Sequence, residues 1–309
     1  MSLVIGLSVV IVAYDGKKPR VLTTRREGGL AALPFGAFDP QSHRTFELAL
    51  RGWVKEQTGF QLGYVEQLYT FGDRDRESPD AALFDTAEDA RIVSVGYLAL
   101  TQEAERLPDT FEARWRGWYR HFPWEDHRKD RPEIIERELA PHLLTWASGN
   151  SERKARAATA FGLDGHDWVD SAVLERYELL YEAGLVEECA RDRGLPLPAT
   201  PLGEPMASDH RRILATAMAR LRAKIRYRPV IFELMPDLFT LSALQHTVEA
   251  ILGQALHKQN FRRALERTGH VEGTGQMESG TGGRPAELYR FKRETGASGL
   301  SAPFMRREP

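Results

Sequence analysis

FTLSALQHTVEAILGQALHKQNFRRALERTGHVEGTGQMESGTGGRPAELYRFKR, residues 239–293, decides how the rest of the chain is read. Leu241, Leu244, Val248 and Ile251 recur at spacings of three and four, which predicts a helix with one apolar face. Thr240 is placed to cap it and Phe239 to staple onto Leu244. Gly253 lies where that helix should end and a turn begin. A second, shorter helix is predicted from about His257 to Gly269, with Phe261 and Leu265 one turn apart on its apolar side. Its other face carries Lys258, Gln259, Arg262 and Arg263, while Asn260 either reads a base or caps the helix. These residue types suit a recognition helix: Arg and Lys pair with phosphate or guanine, Gln and Asn with adenine. Residues 271–279 and 286–292 are two candidate strands around a Gly-rich turn, 280–285, whose Arg284 suits a narrow minor groove. The stretch therefore predicts a winged helix-turn-helix. The helix spacing alone also fits an α+β subdomain with a solvated basic face; the basic helix followed by an Arg-tipped hairpin is what favours DNA.

Working outward, the charge is divided unevenly. The net charge of −2 hides a C-terminal third, residues 208–309, with 17 Lys/Arg against 10 Asp/Glu. A basic module on an acidic body fits a nucleic-acid-binding part joined to something else. The 309 residues are enough for two domains, at roughly 100–200 residues each. No apolar run approaches the ~20 residues of a membrane span. Residues 3–13 are apolar but short and are followed at once by Asp15 and Lys17, so they read as a strand and not a signal peptide. A single cysteine, Cys189, excludes an internal disulfide and argues against a Cys-based zinc site. A cytoplasmic protein with no membrane partner is expected.

Residues 3–13 and 20–25 read as strands joined by a turn at Asp15-Gly16. A helix is expected from about His43 to Thr58, with Phe46, Ala49, Leu50, Trp53 and Val54 on its apolar side and Gly59 ending it. Residues 64–71 and 92–100 read as further strands, the second a buried β-branched run. The segment LPFGAFDPQSHRTFELALRGWVKEQTGF, residues 33–60, resembles a decayed Nudix box. Aligned on Glu56, Gly59 and Phe60, the family's Arg-Glu pair is replaced by Gly52-Trp53 and its Glu-Glu pair by Glu56-Gln57. Nudix hydrolysis needs several carboxylates on one helix face to hold magnesium against a diphosphate. Glu56 alone does not supply them, so no catalytic residue and no metal ligand is assigned. Glu56 itself reads as a solvated helix carboxylate or a helix-to-loop salt bridge in preference to a metal ligand.

Together with the C-terminal module, the chain resembles the Nudix-related transcriptional regulators of NAD metabolism, the NrtR family, in particular its NadQ-like branch. The carrying segments are LYTFGDRDR (68–76), RIVSVGYLAL (91–100), residues 209–245, HKQNFRRAL (257–265) and GRPAELYRF (283–291). The resemblance implies an N-terminal Nudix-like α/β/α sandwich that senses an NAD-related nucleotide such as ADP-ribose, NAD or ATP, with no required cofactor. It also implies a homodimer whose winged helices bind a palindromic operator in double-stranded DNA. The expected divisions are 1–125 for the effector domain, 126–206 for a helical insert and linker, and 207–309 for the DNA-binding domain, an α+β or α/β protein overall. The candidate ligand-binding residues are Arg25, Arg26, Glu56, Asp73, Arg74 and Arg76; arginines suit phosphate through forked hydrogen bonds. The candidate DNA-binding residues are Lys258, Gln259, Asn260, Arg262, Arg263 and Arg284.

The insert departs from the resemblance. Residues 131–146 and 171–191 read as amphipathic helices, and the proline-rich 196–205 as an extended linker. Ser208 is placed to cap a long helix striped by Leu214, Met218, Leu221 and Ile225, with Arg211, Arg212, Arg220, Arg222 and Lys224 on its other faces, expected to be solvated in preference to contacting DNA phosphates. Two rival functions remain open: an active hydrolase of ADP-ribose or another nucleoside diphosphate derivative, using Glu56 and Glu47 with magnesium, and a scaffold whose basic end binds an acidic protein.

Overall fold

The computed structural model describes residues 3–25, 29–73, 91–102, 113–278 and 285–292. The N-terminal apolar run forms β1 (Leu3–Tyr14), followed by β2 (Pro19–Arg25), β3 (Ala31–Ala32) and β4 (Phe35–Ala37). Then come α1 (Phe46–Thr58), β5 (Tyr64–Phe71), β6 (Arg91–Leu100) and β7 (Ala113–Gly117). These strands make one sheet in the order β3-β2-β1-β6-β5, with β4 also on β1 and β7 also on β2. β1 runs parallel to β6, from Leu3 opposite Arg91 to Val12 opposite Leu100. The helix α1 begins at Phe46 and not at His43 because Thr45 supplies the cap, its side chain accepting the Leu48 N–H. Gly59 ends it with φ 71°, a left-handed conformation that glycine adopts without strain.

The insert holds more helix than its periodicity suggests. One turn of π-helix (Ile135–Leu139) leads into α2 (Ala140–Trp146), and α3 (Ser151–Phe161) follows, capped by the Asn150 side chain. The stretch expected as one helix over 171–191 is two, α4 (Val173–Glu182) and α5 (Glu187–Arg193). The proline-rich segment is not a free linker at its C-terminal end. Leu202 and Met206 are buried, Glu204 donates its backbone N–H to Arg120 O at 2.8 Å, and a Cβ on Gly203 would stand 2.4 Å from His121 O.

The long helix α6 (His210–Lys224) begins without a side-chain cap; Ser208 sits just before it at φ 46°. Its arginines depart most from expectation: Arg211 and Arg222 are 1% and 0% exposed. Each meets a buried carboxylate from a distant part of the chain, Arg211 with Glu188 at 3.2 Å and Arg222 with Glu125 at 2.5 Å. A buried charge is tolerable only when paired, and the sequence gives no local sign of these partners.

Alternation along β1 divides two cores. Leu7, Val9 and Ile11 pack with Ala49, Leu50 and Val54 of α1, while Val10 and Val12 share a larger cluster with Ile213, Leu214, Met218 and Leu221 of α6. The sheet is thus layered between α1 and α6. The larger cluster continues without a break through the insert (Leu143, Phe161, Tyr177, Leu180) to Leu244, Val248, Ile251, Phe261 and Leu265.

Candidate nucleic-acid interface and effector face

The C-terminal stretch folds as β8 (Phe239–Thr240), α7 (Leu241–Leu252), α8 (Lys258–Thr268), β9 (Val271–Glu278) and β10 (Ala286–Phe291). The three strands form a separate sheet in the order β8-β10-β9. Thr240 Oγ1 accepts the Ala243 N–H at 3.1 Å and so caps α7; Gly253, φ 70°, ends it. The turn to α8 is held from within α7: Gln245 Nε2 donates to Leu256 O and Glu249 Oε1 accepts from Leu256 N, both at 2.9 Å.

Phe261, Ala264 and Leu265 bury one side of α8, which leaves Lys258, Gln259, Asn260, Arg262 and Arg263 exposed on the rest. Asn260 makes no capping bond, and the cap residue is His257. No acid lies in the first turn of α8. Lys258, Arg262 and Arg263 form no ion pair among the described residues. In the body, by contrast, Arg176, Arg211, Arg212 and Arg222 are all held by carboxylates. Unpaired cations beside two amide side chains on a convex helix are the donors that a phosphate backbone and base edges require. In the hairpin beside it, Glu272 takes up Arg290 and Lys292. Arg284 lies outside the described residues.

The Nudix-like helix α1 is occupied by packing. Gln57, at the second position of the family's acidic pair, clamps the β4 backbone: Phe35 N donates to its Oε1 at 3.2 Å and its Nε2 donates to Phe35 O at 2.5 Å. Trp53 donates its indole N–H to Ala37 O at 3.1 Å and lies over Gly36, where a Cβ would come within 2.4 Å of the ring. Glu56 is exposed, and Glu47 pairs with Arg51 at 2.8 Å. Nine residues separate the two acids, so at 3.6 residues per turn they point about 180° apart and share no cation. Among the described residues, no group of three or more His, Cys, Asp or Glu is placed to hold a metal ion. The magnesium that a Nudix-type fold implies therefore does not fit this face of α1.

Of the other candidate ligand residues, Arg25 is exposed at the end of β2. Asp73 follows β5 and is held by Arg212 Nη1 at 2.5 Å. Arg26, Arg74 and Arg76 lie outside the described residues.

The segment from β3 to β4 is gripped from two directions. Gln57 and Trp53 hold it from α1. From the start of α6, Ala207 N donates to Ala31 O at 2.8 Å and His210 Nδ1 accepts from Leu33 N at 3.1 Å. The other end of α6 reaches the winged helix, where Arg222 Nε donates to Ile251 O at 2.8 Å. His210 did not stand out in the sequence, and Arg222 was expected on a solvated face. A signal was present: Arg211 and Arg222 are eleven residues apart, three turns, and so share one face of the helix.

Residues 231–291 match the NrtR DNA-binding winged helix domain. Over 86 residues the chain is 49% identical to the ADPR responsive transcriptional repressor NtrR of Acinetobacter baylyi; the match spans 28% of this chain and 34% of that protein, so about a third of the relative's length. The solved structure of Shewanella oneidensis NrtR is similar over 96% of this chain and 97% of its own, at 20% identity and TM-score 0.57. The same protein complexed with a 27mer DNA gives 21% identity and TM-score 0.56 over 96% of each chain. A MutT/nudix family protein from Enterococcus faecalis gives 19% identity and TM-score 0.54 over 94% of this chain and 87% of its own. Residues 231–291 are thus similar to the NrtR DNA-binding winged helix, and the whole chain shares the fold of the solved NrtR.

Proposed function

We propose that the chain is a ligand-responsive, DNA-binding transcriptional repressor of NAD-biosynthesis genes, whose Nudix-like part, residues 1–125, senses ADP-ribose or a related nucleotide. The observation that carries this reading is the contrast in cation use: Arg176, Arg211, Arg212 and Arg222 of the body are held by carboxylates, while Lys258, Arg262 and Arg263 of α8 are exposed and form no ion pair among the described residues. Lys258, Gln259, Arg262 and Arg263 enter a major groove, Asn260 reads a base at its edge, and Arg284 reaches the flanking minor groove. Two copies bind a palindromic operator with half-sites about one helical turn, ~34 Å, apart. The names of the relatives support this: one is called ADPR responsive, and another was solved with DNA.

The sensing part works without hydrolysis, because Gln57 and Trp53 are committed to the β4 backbone. Arg25, Arg26, Arg74 and Arg76 supply donors for phosphates, with Glu56 and Asp73 nearby in the sequence pattern. The nucleotide acts on the segment from β3 to β4, which α6 joins to α7 over roughly 18 Å of helix at 1.5 Å per residue. To change occupancy it must bind one arrangement of the two winged helices more tightly than the other. A gel shift on the DNA upstream of the chain's own gene and of NAD-synthesis genes, with and without ADP-ribose, NAD and ATP, tests the reading. A shift that responds to one nucleotide supports it; the absence of any duplex preference refutes it.

A further inference from the structure

The last carbonyls of an α-helix have no partner within the helix. In α7 three carbonyls at or just past that end are satisfied from outside the winged helix. Tyr119 Oη donates to Ala250 O at 2.7 Å, Arg222 Nε to Ile251 O at 2.8 Å, and His127 N to Gly253 O at 2.7 Å. A guanidinium at that position also meets the negative end of the helix dipole. The fit leaves no slack: a Cβ on Gly253 would lie 2.2 Å from Glu125 O and 2.8 Å from Arg222 Nη2.

Behind this joint is a buried ionic node. Glu125 is fully buried and accepts from Arg176 Nε and Nη2 at 2.6 and 2.9 Å and from Arg222 Nη1 at 2.5 Å. Arg222 Nη1 also donates to Asp170 O at 2.8 Å. Arg176, from α4 of the insert, donates to Ala160 O and Val169 O and lies 3.8 Å from the Trp168 ring centre; Trp168 in turn packs on His127 at 4.0 Å. Two arginines and one carboxylate, from the segment after β7, the insert and α6, thus meet at the end of α7, while the Asp170 carboxylate beside them is taken up by Arg226. Buried ion pairs are weak contributors to net stability, and apolar side chains of similar volume often serve as well. What apolar packing lacks is the directional hydrogen bond to Ile251 O.

We propose that Glu125, Arg176 and Arg222 are positioning residues for operator reading, which lock the turn of the helix-turn-helix to the helical insert and so fix the direction of α8. This rests on the DNA-binding reading above. α8 begins at Lys258, five residues beyond Gly253. A rotation of about 10° at the joint moves the far end of an 11-residue helix by roughly 3 Å, close to one base-pair step. The node therefore governs the half-site spacing that a dimer accepts, while single half-site contacts depend on α8 itself. The insert and the winged helix then turn as one body when the operator is bound or released.

The test uses the full chain and a palindromic duplex selected on it, together with versions whose spacer is one or two base pairs longer or shorter, and a single half-site duplex. Glu125→Leu/Arg176→Met/Arg222→Met removes the three charges together, and the buried Asp170 keeps its partner Arg226. The expected result is a folded variant with half-site affinity within about threefold of the parent and spacing discrimination reduced at least fivefold. A folded variant with the parent's spacing discrimination overturns the proposal. A parent chain that prefers no duplex overturns the DNA-binding reading instead, and is told apart by the behaviour of the parent alone. Should the variant not fold, hydrogen exchange on the parent decides: the His127 amide is expected to exchange as slowly as the core of β1, and exchange at the rate of an exposed turn overturns the proposal.

Discussion

The backbone N–H of Leu33 donates to Nδ1 of His210 at 3.1 Å, a bond between residues 177 positions apart in the chain. It joins the segment that resembles a Nudix box to the helix whose far end holds α7. Both partners are buried, and the His210 ring also stands edge-on to Phe35 at 5.0 Å. Replacing His210 with Ala leaves the Leu33 N–H without its acceptor, and should lower stability by about 1–3 kcal/mol. Its diagnostic effect is on coupling: the nucleotide-dependent change in DNA affinity should shrink at least fivefold while affinity without nucleotide stays within about threefold. Paired titrations with and without ADP-ribose measure both quantities, and an unchanged nucleotide response would show that the signal travels another way.

Arg262 and Lys258 are expected to differ in kind. Arg262→Ala should cost about 1–3 kcal/mol on the cognate site and relax the choice of base at one position, as the loss of a bidentate base contact does. Lys258→Ala should weaken all duplexes alike and reduce the slope of log affinity against log salt by about one, as the loss of a phosphate contact does. Binding isotherms at several salt concentrations, on cognate and scrambled duplexes, separate the two.

Much of the winged helix was legible because its signals are local. Thr240, Gly253 and Gly269 mark helix ends through their own backbone preferences, and Phe261 with Leu265 sets the buried side of α8. The Nudix-like sheet was legible for the same reason, from the β-branched runs of β1 and β6. The insert was less so. Its α3 is rich in charge and alanine, and the break between α4 and α5 depends on Gly184 at φ 73° followed by a return of the chain. Arg211 and Arg222 were expected on the wrong faces and Arg176 drew no notice, since a buried arginine is legible only with its carboxylate, and Glu125 and Glu188 are contributed from far along the chain. Gln57 was recognised as a lost acid, but its new task, clamping Phe35, depends on where β4 folds back.

That clamp predicts what restoring the acid would do. Gln57→Glu removes the amide donor to Phe35 O and places a carboxylate beside that carbonyl. A loss of about 1–3 kcal/mol is expected, seen as a lower melting temperature. No sustained turnover of ADP-ribose with magnesium should appear in either the parent or the variant, because Trp53 still covers Gly36. Phosphate or ribose-phosphate release in the parent would revive the hydrolase reading.

Acid should destabilise the fold through His121. Burial pushes this imidazole from 6.5 down to about 4, against the opposing effect of its hydrogen bond to Glu204 O. The unfolded chain therefore takes up the proton first. The stabilising contribution is complete above about pH 6.5 and is lost as pH falls from there toward 4, on the order of 3 kcal/mol in all. His127, which burial also lowers to about 4, acts in the same direction. Urea denaturation at pH 7.5, 6 and 5 should show falling stability, and His121→Gln should flatten that dependence. An equally steep profile in the variant would assign it to other groups.

The most direct test of the central claim is the affinity of the full chain for its own upstream DNA, measured by fluorescence anisotropy with and without saturating ADP-ribose. A change of about 5-fold or more is predicted, the range of coupling free energies of 1–3 kcal/mol typical of linked sites, and it should vanish together with DNA binding in Arg262→Ala/Arg263→Ala. Equal affinity in the two conditions, or binding that ignores duplex sequence, would contradict the account.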